Sequence, residues 1–118
     1  MEAYIYANCE RIKLVDLNDV PITFSGTLEC NVENVLAASS ALYGLGTSIN
    51  IIREGLKTFK SDASMNPGRF NIFELGNMKI MLDYGHNIEG YEEVGKFISK
   101  LNVSRAIGII GVPGNRTD

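Results

Sequence analysis

The sequence predicts an α/β chain, and three observations carry that expectation. Apolar residues recur at three- and four-residue spacing over 32–45, 49–59 and 88–101, the period of amphipathic helices. Two short apolar runs flank Gly76-Asn77, a turn dipeptide with the signature of a β-hairpin. Between the second helical stripe and that hairpin lies Ser61-Asp62-Ala63-Ser64-Met65-Asn66-Pro67-Gly68, small, polar and rich in turn formers, where the periodicity changes from helix to strand.

Along the chain, Tyr4–Ala7 and Ile12–Val15 are expected as short strands with Arg11, Lys13 and Asp16 on exposed edges. Asp19-Val20-Pro21 reads as a turn, because the residue before proline is held extended, and Ile22–Phe24 as a further short strand ended by Ser25-Gly26. Asn31 is the expected N-cap of a helix over 32–45, with Gly44 and Gly46 ending it. Ser48 is placed to cap a second helix over 49–59, whose stripe is Ile49, Ile52, Leu56 and Phe59. Arg53 and Lys57 are read as a solvated flank of that helix. The hairpin spans 69–84. A third helix follows over 88–101, with Tyr91, Val94, Ile98 and Leu101 as its stripe, glutamates near its start and lysines near its end, which suits the helix dipole. Ala106–Ile110 is almost wholly apolar and is expected as a central strand.

Composition bounds the function. The 118 residues are 45% hydrophobic and 21% charged, which describes a globular rather than a disordered chain. A net charge of −3 gives no bulk attraction for phosphate backbones, so no nucleic-acid partner is expected. Cys9 and Cys30 lack the spacing of a redox pair or zinc knuckle and are expected as free thiols; with one histidine, no metal site is expected. Neither a leader pattern nor a membrane-length apolar run is visible, so the expectation is a cytoplasmic protein with no membrane partner, and a homo-oligomer is compatible with it.

Candidate site residues gather where apolar strands meet polar groups. Asp83 closes the second hairpin strand and must have hydrogen-bond partners if buried; it reads equally as a carboxylate for a ribose diol or as an N-cap for the following helix or turn. Arg69, just after Pro67-Gly68, reads as a phosphate clamp or as a surface ion-pair partner. His86 is a base, a stacking ring or a packed loop residue, and Asn34 an amide that reads an adenine edge or a surface side chain. Gly111 to Arg116 is a loop whose glycines let backbone approach phosphate, yet neither it nor any other stretch carries the Gly-Lys-Ser or Gly-Lys-Thr of a P-loop. No catalytic residue is assigned.

In chain order, Asn31-Val32-Glu33-Asn34-Val35-Leu36-Ala37-Ala38, Asn66-Pro67-Gly68-Arg69-Phe70, Asp83-Tyr84-Gly85-His86-Asn87 and Gly111-Val112-Pro113-Gly114-Asn115-Arg116 together resemble the Mur ligase superfamily, and a branch of it that extends an aspartate-rich chain. The blocks are similar to its H-N-x-x-N-x-L-A-A, N-P-G-R-F, D-Y-A-H-N and G-x-x-G-D-R elements, with Cys30, Gly85 and Asn115 departing from them. The resemblance implies a fragment: 1–62 as the tail of a central ATPase domain, 63–68 as linker, and 69–118 as the first part of a Rossmann-like C-terminal domain. It implies an ATP- and magnesium-dependent ligase that joins a carboxylate to an amine through an acyl phosphate, acting on an aspartate-rich peptide and an amino acid. Asn34 would then contact adenine, Arg69 the phosphates and Asp83 the ribose. His86 and Asn87 would line the same cleft and Arg116 would lie toward the amino-acid substrate. Without a P-loop the isolated chain is expected to be inactive in ligation. The competing expectation is a stand-alone, non-catalytic α/β binding module.

Overall fold

The computed structural model describes residues 1–111. The chain divides into two compact units, Met1–Asp83 and the residues from Tyr84 onward.

The first unit starts with an antiparallel pair, β1 (Glu2–Ala7) and β2 (Glu10–Asp16). Asn8 and Cys9 make the two-residue turn with φ of 51° and 64°, the positive values that match strand twist in a tight hairpin. Alternation puts Ala3 and Ile5 inward, where they join Leu14, Val15, Leu17, Val20, Val35 and Ile52 in the core. After β2 the backbone winds into two single 3₁₀ turns, Leu17–Asp19 and Pro21–Thr23. The strand expected over Ile22–Phe24 does not form. Pro21 presets the φ of a turn, and the fully buried Thr23 hydroxyl lies 2.9 Å from the Val20 carbonyl while accepting the Gly26 N–H at 3.0 Å. Phe24 and Ser25 then sit at φ of 50° and 58°, which no strand tolerates.

Helix α1 (Glu29–Gly44) begins three residues before the expected start, with Leu28 at the cap position. Asn31 is therefore not the cap. It is buried in the first turn, and its Nδ2 donates to the Ile22 carbonyl at 2.8 Å, tying the helix to the preceding 3₁₀ turn. The C-terminal end matches the glycine expectation: Gly46 has φ of 86°, its N–H donates to Tyr43, and the Thr47 N–H donates to Leu42, each at 3.0 Å. Helix α2 (Ile49–Thr58) has Ser48 at its cap position, though without a side-chain capping bond, and turns Ile49, Ile52 and Leu56 to the core. Arg53 is not a solvated flank. Its Nε donates to the Leu14 carbonyl at 3.0 Å, its Nη2 to the Lys13 carbonyl, and its Nη1 to Asn50 Oδ1 at 3.0 Å, so it fastens α2 onto β2. Lys57 lies 3.7 Å from Asp19.

The hairpin forms as expected from β3 (Asn71–Leu75) and β4 (Met78–Leu82), with Phe73 opposite Ile80 and Gly76 at φ of 59° in the turn. In the second unit, α3 (Ile88–Lys100) buries Phe97 most fully and half-buries Tyr91, Val94, Ile98 and, just beyond its end, Leu101. Ala106–Ile110 is not a strand. No strand pairs with it among the described residues, and Ile107, Ile109 and Ile110 are 74%, 98% and 70% exposed. A central strand exists only through its neighbours' hydrogen bonds, so an apolar run alone does not make one. Among the described residues, helices thus alternate with two separate two-stranded antiparallel sheets.

Candidate functional site

The candidate site of the first unit is the foot of the β3–β4 hairpin, where the loop entering β3 meets the residue leaving β4. Its construction begins at Asp62. That carboxylate accepts hydrogen bonds from the Ser64 and Met65 N–H groups, both at 2.9 Å, and from the Ser64 hydroxyl at 2.8 Å. These bonds, with the Met65 amide contributing most, hold its pKa below the usual aspartate value. The loop then turns through Gly68 at φ of 72° and Phe70 at φ of 49°, the latter a buried residue in a region that side chains seldom occupy.

Asn71 holds that loop in place. Only 1% exposed, it accepts the Gly68 N–H on Oδ1 at 2.7 Å and donates from Nδ2 to the carbonyls of Asn66 at 2.9 Å and Arg69 at 3.2 Å. Ser61 Oγ donates to the Arg69 carbonyl as well. Sequence reasoning missed Asn71, which reads there as the first residue of a strand. A usable signal exists: an asparagine three residues after a Pro-Gly turn can bond back to that turn.

Asp83 closes the foot. Its Oδ2 accepts the Phe70 N–H at 3.0 Å. Asp83 does not cap α3; Asn87 does, accepting the Gly90 N–H on Oδ1 at 2.9 Å. Arg69 and Asp83 are thereby brought to one end of one hairpin, joined through the backbone of Phe70. Arg69 is exposed and Asp83 half-buried. The other candidates belong to other elements. Asn34 is on the exposed side of α1. His86 and Asn87 belong to the second unit, at the start of α3, where the His86 ring is tilted against Tyr84 at 5.5 Å between centroids. Arg116, and the loop it ends beyond Gly111, lie outside the described residues.

The donor set limits what the foot can do. The N–H groups of Gly68, Arg69 and Phe70 donate to Asn71 Oδ1, the Asn66 carbonyl and Asp83 Oδ2. The loop is therefore not an amide nest for phosphate, and an anion here would be met by the Arg69 guanidinium. A carboxylate accepts up to about four hydrogen bonds, and the Phe70 N–H takes one of those of Asp83. Among the described residues no three His, Cys, Asp or Glu side chains are grouped to hold a metal ion, and no disulfide joins Cys9 to Cys30. No helix of the described residues is long and apolar enough to cross a membrane.

Comparison with known proteins adds sequence relatives to this geometry. The chain is 42% identical over 99 residues to the cyanophycin synthetase of Trichormus variabilis, covering 84% of this chain and 11% of that protein. It is 39% identical over 107 residues to the cyanophycin synthetase of Crocosphaera subtropica, covering 91% of this chain and 12% of the relative. It is 30% identical over 87 residues to the UDP-N-acetylmuramoyl-L-alanyl-D-glutamate–L-lysine ligase of Streptococcus pyogenes, covering 73% of this chain and 17% of that enzyme. The chain spans about a tenth of the length of the cyanophycin synthetases it matches. No family profile matches the chain.

Proposed function

We propose that this chain, a homologue of the cyanophycin synthetases and of a Mur ligase, is part of an ATP-dependent amide ligase and contributes nucleotide-binding residues to it. In the intact protein ATP and magnesium would activate a carboxylate as its acyl phosphate, and an amine would displace the phosphate to leave an amide. The acceptor would be an aspartate-rich peptide and the incoming group an amino acid. The 118 residues carry no P-loop, so the isolated chain would bind nucleotide weakly and ligate nothing. Residues 1–62 would be the tail of the central ATPase domain, 63–68 the linker, and 69–118 the start of the Rossmann-like domain.

The single observation that carries the reading is the hydrogen bond from the Phe70 N–H to Asp83, which sets a cationic and an anionic side chain at one hairpin end. Arg69 would meet the phosphates and Asp83 the ribose hydroxyls. Asn34 would read the adenine edge, His86 and Asn87 would line the nucleotide cleft, and Arg116 would act toward the amino-acid substrate.

ATP titration into the intact protein tests the assignment. Arg69→Ala removes an exposed guanidinium and leaves the loop's backbone bonds in place. It is expected to weaken ATP about 10- to 100-fold, the equivalent of one charged hydrogen bond of roughly 1.5–3 kcal/mol. Asp83→Asn keeps an acceptor for Phe70 and removes the charge, with an expected loss of about 10-fold. Unchanged affinity in both variants sinks the assignments.

A further inference from the structure

The backbone on both sides of the Arg69 Cα is pinned. Its N–H donates to the Asn66 carbonyl at 3.3 Å. Its carbonyl accepts from Asn71 Nδ2 at 3.2 Å and from Ser61 Oγ. The other end of that second peptide group, the Phe70 N–H, is held by Asp83 at 3.0 Å. All of these groups lie within the first unit. The two planar peptide groups that flank a Cα set its φ and ψ, and with them the direction in which the side chain leaves. The peptide group between Arg69 and Phe70 is also the one a relaxed loop would turn. Phe70 has φ of 49°, a left-handed value that a residue with a Cβ keeps only where the surrounding bonds enforce it. Asn71 is 1% exposed, and its three hydrogen bonds all end on this loop, at Asn66, Gly68 and Arg69.

We propose that Asn71 and Ser61 are positioning residues for nucleotide binding, acting on the phosphates through Arg69 by holding its carbonyl. The inference rests on the reading of Arg69 as the phosphate contact. With both donors in place the Arg69 side chain leaves the loop in one direction, and only its own rotamers remain to be ordered when a phosphate binds. Without them Phe70 relaxes out of its left-handed conformation, the Arg69–Phe70 peptide group turns, and the guanidinium sweeps a larger volume. Binding then has to order the loop as well as the side chain, and affinity for the phosphates falls.

Titrations of the intact protein with ATP and with adenosine read the inference. The variants are Arg69→Ala, Asn71→Ala and Ser61→Ala, and each of the last two combined with Arg69→Ala. Asn71→Ala should weaken ATP about 5- to 10-fold and Ser61→Ala about 2- to 5-fold, each less than Arg69→Ala does. Adenosine has no phosphate, and both variants should bind it within about 2-fold of the parent. In the Arg69→Ala background neither should weaken ATP further, because the group they position is gone. Ser61→Ala removes a single half-buried hydroxyl, so the cycle stands even where Asn71→Ala does not fold. Equal losses with and without Arg69 overturn the inference, since a merely structural role is additive, and so does a matching loss of adenosine affinity. If only Arg69→Ala weakens ATP, the positioning role is overturned and the phosphate reading stands. If Arg69→Ala binds ATP as the parent does, the phosphate reading falls and the inference falls with it.

Discussion

Asn71 shows how one side chain can fix a loop that the backbone alone would not hold. Its three hydrogen bonds reach Asn66, Gly68 and Arg69, and it does this while almost fully buried. Removing them takes the acceptor from the Gly68 N–H and one of two donors from each of the Asn66 and Arg69 carbonyls, and it empties the buried space of the side chain. Asn71→Ala is expected to lower stability by about 2–3 kcal/mol in urea or thermal unfolding. Arg69→Ala should cost less than Asn71→Ala, because Arg69 is exposed whereas Asn71 is almost fully buried. That contrast separates the residue that builds the hairpin foot from the residue proposed to use it. Arg69, Asp83 and Asn34 were legible as candidates in the sequence, because polar groups at strand and helix ends stand out against apolar runs. Asn71 was not, since its partners are backbone atoms that only the folded turn brings within reach.

At the scale of the element, α3 contrasts two glycines in one helix. Gly95 lies mid-helix, with open space where a Cβ would go. Gly90 lies in the first turn, where a Cβ would come within 2.8 Å of Asn87 Oδ1, the atom that caps the helix. Gly95→Ala should therefore stabilise the protein by about 0.5–1 kcal/mol through helix propensity. Gly90→Ala gains the same propensity but displaces the capping oxygen, which is worth about 1 kcal/mol, and should leave stability level or lower. Thermal melts of the two variants check this. The helices themselves were legible from period and end signals, and α1, α2 and α3 all appear within a few residues of their expected bounds. Asn31 was misread because an asparagine near a helix start can serve the next element as well as its own helix.

Across the first unit, Arg53 is a long-range polar tie, joining α2 to carbonyls of β2 that lie 39 and 40 residues earlier. Its planar fork reaches both carbonyls and Asn50 at once, which a lysine ammonium on a single stem cannot do. Arg53→Lys should cost about 1–2 kcal/mol, read as a lower urea midpoint with unchanged slope. Lys57→Ala, whose pair with Asp19 is exposed, should change stability by less than about 0.5 kcal/mol.

The sequence by itself determined the local elements. It set three helices, the hairpin at Gly76-Asn77 and the polar boundary between them, because period, turn chemistry and helix ends act over a few residues. Tertiary structure alone decided which polar groups meet. It turned Ile22–Phe24 into a 3₁₀ turn through the hydrogen bonds of Thr23, moved Arg53 from a flank to a clamp, and gave Asp83 to Phe70. It also left Ala106–Ile110 without a ladder, since a strand needs a partner's hydrogen bonds and apolar residues cannot supply them. Hydrophobic pattern is written along the chain, whereas the pairing of donors with acceptors is settled where distant segments come together.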